Sequence, residues 1–521
     1  MKARTEPLRH LSSILLILLV LASGCVSTYE TKKKSELLEL NGRGPLRALT
    51  VDSALYTFRT FSFSDLGLNG QGTITRLGID SAFDGFVPFN RIAFIERIEL
   101  SVWKGVWVVP MSVAAFAAMI DVMNKPSKFE ITRPSGSCPY VYAFDGKTYK
   151  LDAETFGTSV SKAFEAETFS LLPSLRPVDG RLKVRVANER PETHLINSVH
   201  LFVGDACEAS SAVLDINNTL WPVRKAHAPS AASDHSGNNI LAEIASKDNR
   251  YWKSDLAHTA AFSGFRDELD FRFEVPEGTS EATLIVDAIN TDLVTEAYRS
   301  AGSVLGDATM EFYDALERDP QLQGSIRNWI RDCSLRIEVK RGSEWKEAGV
   351  MTPEANVAPF SRAIRLRNLD GIQGPLRIRL SSLTDVWRID AVSIDFSAAK
   401  PLVLQPLNMN LVRSSDNTHW DNAIAANDST YALVLPPDHL DLTFDAAPAM
   451  GMRTPVYVFA AKGYLYEWLP SSASQSASSI AESMGGRDRV EMFKLLIKQK
   501  DLFLPQVYAA WRKNPDFTRS K

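Results

Sequence analysis

A chain of 521 residues with 45% hydrophobic and 23% charged residues has the balance of an ordinary globular protein that can bury sizeable cores. Its length suits about three or four domains at roughly 150 residues each. A formal net charge of -4 is small for that length and argues against a dominant nucleic-acid surface.

The first residues point to a compartment. Lys2, Arg4 and Arg9 precede the run LSSILLILLVLA, which has signal-peptide length and is too short to span a bilayer comfortably. The run ends in LASGC, and this stretch resembles the bacterial lipobox, in which the peptide is cut before a cysteine that is then acylated. Ser23 and Gly24 meet the small-residue positions; Ala22 stands where Leu is usual, with Leu21 one step further out. The resemblance implies cleavage between Gly24 and Cys25 and lipidation of Cys25, palmitate included. Val26 in place of Asp implies outer-membrane sorting in a Gram-negative envelope. Each buried lipid methylene contributes about 0.8 kcal/mol, so several chains on one cysteine make a stable anchor. Residues 1–24 are then the signal peptide and 25–45 a polar tether. Of the remaining cysteines, Cys138 and Cys207 flank what reads as one β-unit and are the candidate disulfide pair in an oxidising compartment; Cys333 is left over.

Residues 46–102 read as a small β-barrel-like domain or curled sheet. Tyr56 and Phe58, then Phe61 and Phe63, alternate with one slip that predicts a bulge. Asn69-Gly70 and Asp84-Gly85 predict hairpin turns. Residues 103–127 carry an apolar helix, with Val109, Val113, Phe116, Ile120 and Met123 on one face. Its uncharged stretch is short for a membrane span, which leaves a spanning, an interfacial and a buried helix as alternatives.

A β-rich domain follows over 128–292. In SCPYVYAFDGKTYKL, Tyr140, Tyr142 and Phe144 alternate up to Asp145-Gly146, and Tyr149 and Leu151 continue the pattern beyond it, so a hairpin is expected. Nothing near Cys138 in the sequence would activate a thiolate, so the stretch is framework rather than nucleophile. RLKVRVANE and SVHLFVGD add two strands, and DELDFRFEVPEGTSEATLIVDAIN reads as another hairpin-like pair. The block SCPYVYAFDG, LRPVDG and NERPET is similar to a family of uncharacterised bacterial lipoproteins, with a looser likeness over residues from about 50 to 470. That resemblance implies location and architecture and brings no activity.

Residues 293–332 form a helical insertion around Phe312, Leu316, Leu322 and Trp329, broken at RDPQL. The strands of 333–400 suggest a jelly-roll-like module, by analogy at the level of fold alone. A C-terminal β-module covers 401–470, and a Ser-rich linker with a basic amphipathic helical tail covers 471–521. The expected fold class is mainly β, with several β-sandwich or jelly-roll-like modules.

The sequence holds no phosphate-cradling loop, HExxH, CxxC pair or GxSxG elbow. No metal site or cofactor is assigned. The cluster Asp416, Asn417, Asp421, Asn427 and Asp428 reads as Asx-rich turns rather than calcium ligands. The leading expectation is a non-enzymatic, lipid-anchored envelope protein with a scaffold or interaction role. Its partners would be the membrane, through Cys25, and another envelope protein or a glycan, with no nucleic acid. A second reading is a carbohydrate-binding protein that stacks sugars on Trp387, Trp420, Tyr464 and Trp468, with Tyr466 beside them. A third is a hydrolase with an unrecognised site.

Overall fold

The computed structural model describes residues 27–31, 46–50, 54–64, 66–76, 79–100, 139–190, 192–207, 209–254, 265–302, 305, 309–370, 372, 374–415, 424, 426–449 and 451–468. The cleavage site at Gly24 and Cys25, the apolar stretch 103–127, Cys138, Trp420 and the tail 471–521 lie outside them. The expected class holds: the chain is mainly β, built from several antiparallel sheets with a sandwich-like arrangement. Among the described residues no helix is long and apolar enough to cross a membrane.

The chain divides into two compact units. In the first, β1 (Ser27–Thr31), β2 (Leu46–Thr50), β3 (Leu55–Ser64), β4 (Gly67–Arg76), β5 (Ile79–Pro88) and β6 (Ile92–Leu100) make one antiparallel sheet in the order β1-β6-β2-β3-β4-β5. The sheet is open among the described strands, with β1 and β5 at its edges, and is not a closed barrel. Its edge strand β1 lies within the segment read as tether. A register shift between Phe58 and Thr60 supplies the expected bulge, and it returns Phe61 and Phe63 to the same core as Tyr56 and Phe58. The glycine signals mean something else. Asn69-Gly70 and Asp84-Gly85 sit inside β4 and β5, not at turns. A Cβ on Gly70 would stand 2.3 Å from the Thr60 carbonyl oxygen, so glycine is there for close strand approach beside the bulge.

The second unit opens with β7 (Tyr140–Phe144), β8 (Tyr149–Glu154), β9 (Ala166–Leu171), β10 (Arg181–Ala187) and β11 (Glu192–Asp205). A hairpin, β12 (Ser211–Leu214) and β13 (Leu220–Val223), leads to β14 (Ala226–His227), β15 (Ala231–Asp234), the single-turn α1 (Leu241–Ile244), β16 (Arg266–Phe273) and β17 (Glu281–Asn290). Next come the helices α2 (Leu293–Gly302), α3 (Thr309–Arg318) and α4 (Pro320–Cys333). The strands β18 (Leu335–Arg341), β19 (Glu344–Met351), β20 (Phe360–Arg367), β21 (Leu376–Leu383) and β22 (Trp387–Asp395) follow. The chain ends its described course in β23 (Gln405–Leu407), β24 (Met409–Ser414), β25 (Ala432–Val434), β26 (His439–Asp445) and β27 (Pro455–Glu467).

These strands form two sandwiches, one inserted in the chain of the other. The host pairs a sheet β24-β26-β10-β7-β8 with a sheet β23-β11-β27-β9, and β25 also joins β11. Val141, Val184 and Leu442 of the first sheet share a core with Leu201, Tyr457 and Phe459 of the second. The host is thus made from both ends of the unit, and residues 401–470 are not a separate module. The inserted sandwich has sheets β14-β22-β17-β20 and β15-β16-β21-β18-β19, so the strands of 333–400 share it with those before the helices. The pair around PEGT is not a hairpin: β16 pairs with β15 and β21, while β17 pairs with β20 and β22 in the other sheet.

Local chemistry explains the joints. The opening hairpin forms with a four-residue connection rather than a two-residue one. Asp145 Oδ1 accepts from the amides of Lys147 (2.8 Å) and Thr148 (2.7 Å), and Gly146 takes a φ of +97°. Asp179 and Gly180 make the LRPVDG turn with positive φ. Asp319 caps α4 by accepting from the amides of Gln321 and Leu322, with Pro320 at the first helical position.

Candidate functional site

The strand β17 is buried along nearly its whole length, because both faces of its sheet are covered. On the outer face Ile285 packs with Val213, Trp221 and Val223 of the β12–β13 hairpin and with Ala363. Asp215 ties that hairpin together, accepting from the amides of Asn217 and Thr219 and from the indole of Trp221 at 2.8 Å. Two residues along β17 from Ile285, the apolar pattern is interrupted by Asp287, and here the pairing of β17 with β22 shifts register. Bulges of this kind re-aim a side chain.

Asp287 lines a cleft of about 510 Å³ between the two sandwiches. Its walls are β8 and β9 of the host, the β12–β13 hairpin, and β17, β20 and β22 of the insert. A second cavity of about 210 Å³ shares Glu154, Glu354 and Arg362 with the first. Small residues such as Ala228, Ala358 and Ala391 form much of the lining, so the cleft's character comes from a few charged groups.

Two groups of contacts organise these charges. The first holds the sandwiches to each other. Glu154, at the end of β8, accepts from the amides of Val357 and Ala358 in the insert, both at 2.7 Å. Arg362 on β20 forks onto Glu354 (2.7 and 2.5 Å) and donates to the Phe169 carbonyl of the host at 2.6 Å. Asn290 steadies the same loop by accepting from the amides of Glu354 and Ala355. Hydrogen bonds to charged groups contribute about 1.5–3 kcal/mol each, so this latch is substantial.

The second group is Asp287, Ser361 and Lys247. Asp287 and Ser361 are direct partners across β17 and β20, and the hydroxyl donates to the carboxylate. Lys247 Nζ reaches both, 2.7 Å from Asp287 Oδ1 and 2.9 Å from Ser361 Oγ. Asp152 stands on the host wall and accepts from the Ser174 amide at 2.7 Å. Burial pushes its carboxyl above the ordinary value, against the hydrogen bonds from Ser174. Every one of the four cleft carboxylates, Asp152, Glu154, Asp287 and Glu354, is therefore already engaged by protein donors. What they offer a ligand is fixed dipoles and residual acceptor capacity.

Two of the residues singled out as sugar platforms, Trp387 and Tyr464, are not brought to a surface, and Trp420 lies outside the described residues. Trp387 is 1% exposed and Tyr464 0%, and Tyr466 is buried with it. Trp387 donates its indole N–H to the Cys333 carbonyl (2.8 Å), and Tyr464 packs edge-on against both Tyr431 and Tyr466. Trp468 donates to Thr193 Oγ1 at 3.0 Å and is half-buried. Trp387, Tyr464 and Tyr466 are packing, since a stacking platform must show a face to solvent. Cys207 is exposed and free and Cys333 is buried; Cys138, the candidate partner of Cys207, lies outside the described residues. In the Asx-rich stretch, Asp428 accepts from the Thr430 amide and Asn427 from Lys462; Asp416, Asn417 and Asp421 lie outside the described residues. Among the described residues no cluster of His, Cys, Asp and Glu could hold a metal ion.

Sequence reasoning missed the cleft residues. Asp287 carried a signal, an acid inside the apolar run TLIVDAIN. Glu154 and Arg362 carried none, because their roles depend on two sandwiches meeting.

No family model matches the chain, and no curated protein matches it. Among solved structures, the crystal structure of the GH31 alpha-xylosidase from Xanthomonas citri is similar over 84% of this chain and 38% of that chain, at 8% identity and a TM-score of 0.14. A likeness that slight carries no argument about fold or activity.

Proposed function

We propose that the chain is a lipid-anchored protein of the bacterial cell envelope, acylated on Cys25 and held at the outer membrane. Its role in this reading is non-enzymatic: it presents a fixed double sandwich whose inter-sandwich cleft receives a partner or ligand. One observation carries the reading of the site. Glu154 and Glu354 are tied into the latch, Asp287 into its cluster with Ser361 and Lys247, and Asp152 to the Ser174 amide, an arrangement suited to holding a shape. The anchor rests on the LASGC sequence at Cys25.

Two arms test the proposal. Mass spectrometry of the processed protein is expected to find acyl chains on Cys25, and Cys25→Ser is expected to leave the membrane fraction. Pull-downs from solubilised envelopes are expected to recover one specific partner with the intact protein, and to lose it with Ala228→Trp, which fills the cleft from its exposed rim. A mature terminus without lipid overturns the anchor. Equal recovery with Ala228→Trp overturns the cleft.

A further inference from the structure

The outer face of the sheet β15-β16-β21-β18-β19 carries charge that the cleft does not use. Along these strands alternate residues are buried: Leu269, Phe271 and Phe273 on β16, Ile378 and Leu380 on β21, and Ile337 and Val339 on β18. The residues between them point outward and are mostly charged.

Register sorts those charges into rows. Arg272 pairs directly with Arg377. Val339 pairs with Ile378, so Lys340, the next residue on β18, falls in the row of Arg377. Lys340 in turn pairs with Trp345. The row therefore reads Arg272, Arg377, Lys340, Trp345 across four adjacent strands about 4.8 Å apart. It contains three cations and no acid. Like charges directly opposite one another are destabilising in a sheet.

The neighbouring acids form no ion pair with this row. Asp270 and Glu268 are taken by Arg379, at 2.8 and 2.9 Å. Glu347 pairs with Arg336 at 3.4 Å. Glu274, just past the end of β16, accepts from the Ser230 hydroxyl. Glu338 sits next to Arg379 and bears on its charge. Among the described residues, Arg272, Arg377 and Lys340 enter no ion pair. Arg377, Lys340 and Arg379 all approach the Trp345 ring, at 5.8, 5.4 and 4.5 Å from its centroid. The half-buried indole thus stands at the end of a cationic track.

We propose that this sheet face binds an acidic polysaccharide, with Arg272, Arg377 and Lys340 pairing with its carboxylates and Trp345 packing against a sugar ring. Charge complementarity argues for the polyanion: a chain of regularly spaced anions laid across the strands relieves the repulsion in the row. The aromatic at the end of the row argues for a saccharide over an acidic peptide, since a sugar ring offers an apolar face to an indole. The inference is independent of the cleft.

The test uses the full chain and polygalacturonate, with dextran, poly-glutamate and phosphatidylglycerol vesicles as comparison arms. Binding to polygalacturonate is expected, weakening as salt is raised. The triple variant Arg272→Gln, Arg377→Gln, Lys340→Gln is expected to lose about tenfold or more in affinity. Trp345→Leu is expected to weaken polygalacturonate binding while leaving any poly-glutamate binding unchanged. Arg336→Gln, on the same face but in an acid-balanced row, is expected to bind as the unaltered protein does. Should the triple variant fail to fold, Arg377→Gln and Trp345→Leu alone decide the matter. No binding to polygalacturonate, unchanged binding by the triple variant or by Arg377→Gln and Trp345→Leu, or equal binding to poly-glutamate or vesicles overturns the proposal.

Discussion

The indole of Trp387 donates its N–H to the main-chain carbonyl of Cys333, at 2.8 Å, joining the first residue of β22 to the last residue of α4. The last carbonyls of a helix have no partner within it, and here a tryptophan from a neighbouring strand supplies one. Trp387→Phe keeps most of the packing and removes this bond. It is expected to cost about 1–2 kcal/mol in urea unfolding, the cost of losing a buried hydrogen bond. Trp387→Ala adds a cavity and is expected to cost about 3–5 kcal/mol. A Trp387 that served as an exposed sugar platform would show neither loss.

The latch between the sandwiches should be measurable. Arg362→Met leaves the Glu354 carboxylate and the Phe169 carbonyl without their donor. The expected loss is about 2–4 kcal/mol, somewhat below that for a fully buried pair, because both side chains keep some solvent contact. Glu154→Gln should act locally. Faster hydrogen exchange at the Val357 and Ala358 amides, with little change elsewhere in the insert, is the outcome to look for.

Asp152 and Asp395 predict opposite responses to pH. Burial raises the Asp152 carboxyl above its ordinary 3.8, so the folded state keeps that proton after the unfolded chain has lost it. Stability then declines as pH rises from 3.8 through the raised folded value, and Asp152→Asn should remove that decline. At Asp395 burial also pushes upward, but hydrogen bonds from Ser397, Arg224 and Lys225 more than offset it, and the carboxyl lies below 3.8. Its contribution is complete above 3.8 and is lost as pH falls through the lowered folded value. Subtracting the acid unfolding curves of Asp152→Asn and Asp395→Asn from that of the intact protein should give differences of opposite slope.

Two glycines should respond in opposite directions to alanine. A Cβ on Gly463 would stand 2.4 Å from the Leu195 carbonyl oxygen, forcing β27 away from β11 beside the register shift at Ile196 and Ser198. Gly463→Ala is expected to destabilise the host sandwich by about 1–3 kcal/mol. Gly324, inside α4, has open space around it. Gly324→Ala is expected to stabilise by about 0.5–1 kcal/mol, since glycine is a poor helix former. Thermal unfolding of the two variants checks both.

What the sequence revealed was local. The alternation Tyr140, Tyr142, Phe144 and the Asp145 turn announced β7 and β8, and the slip after Phe58 announced its bulge. RDPQL marked the break that separates α3 from α4. Pairings distant along the chain left no such trace. The partners of His200 and Leu201 on β11 are Ala460 and Phe459 on β27, and nothing in either stretch names the other. Glycines misled for a related reason: Gly70 and Gly72 answer to carbonyls of β3 that a one-dimensional reading does not see. The candidate site suffered most, because Glu154 and Arg362 matter only where two separately paired regions of chain come together.

The insertion also sets an order of events during synthesis. Strand β11 emerges early yet must wait for β27, the last of the described strands, before its edge is covered. The inner sandwich has all its strands by residue 395 and can close first, bringing the two stumps of the outer one close together. Until then the first half of the outer sandwich offers bare strand edges to anything nearby, a hazard that grows with the length of the delay. A molecule built this way has reason to depend on chaperones until β27 arrives.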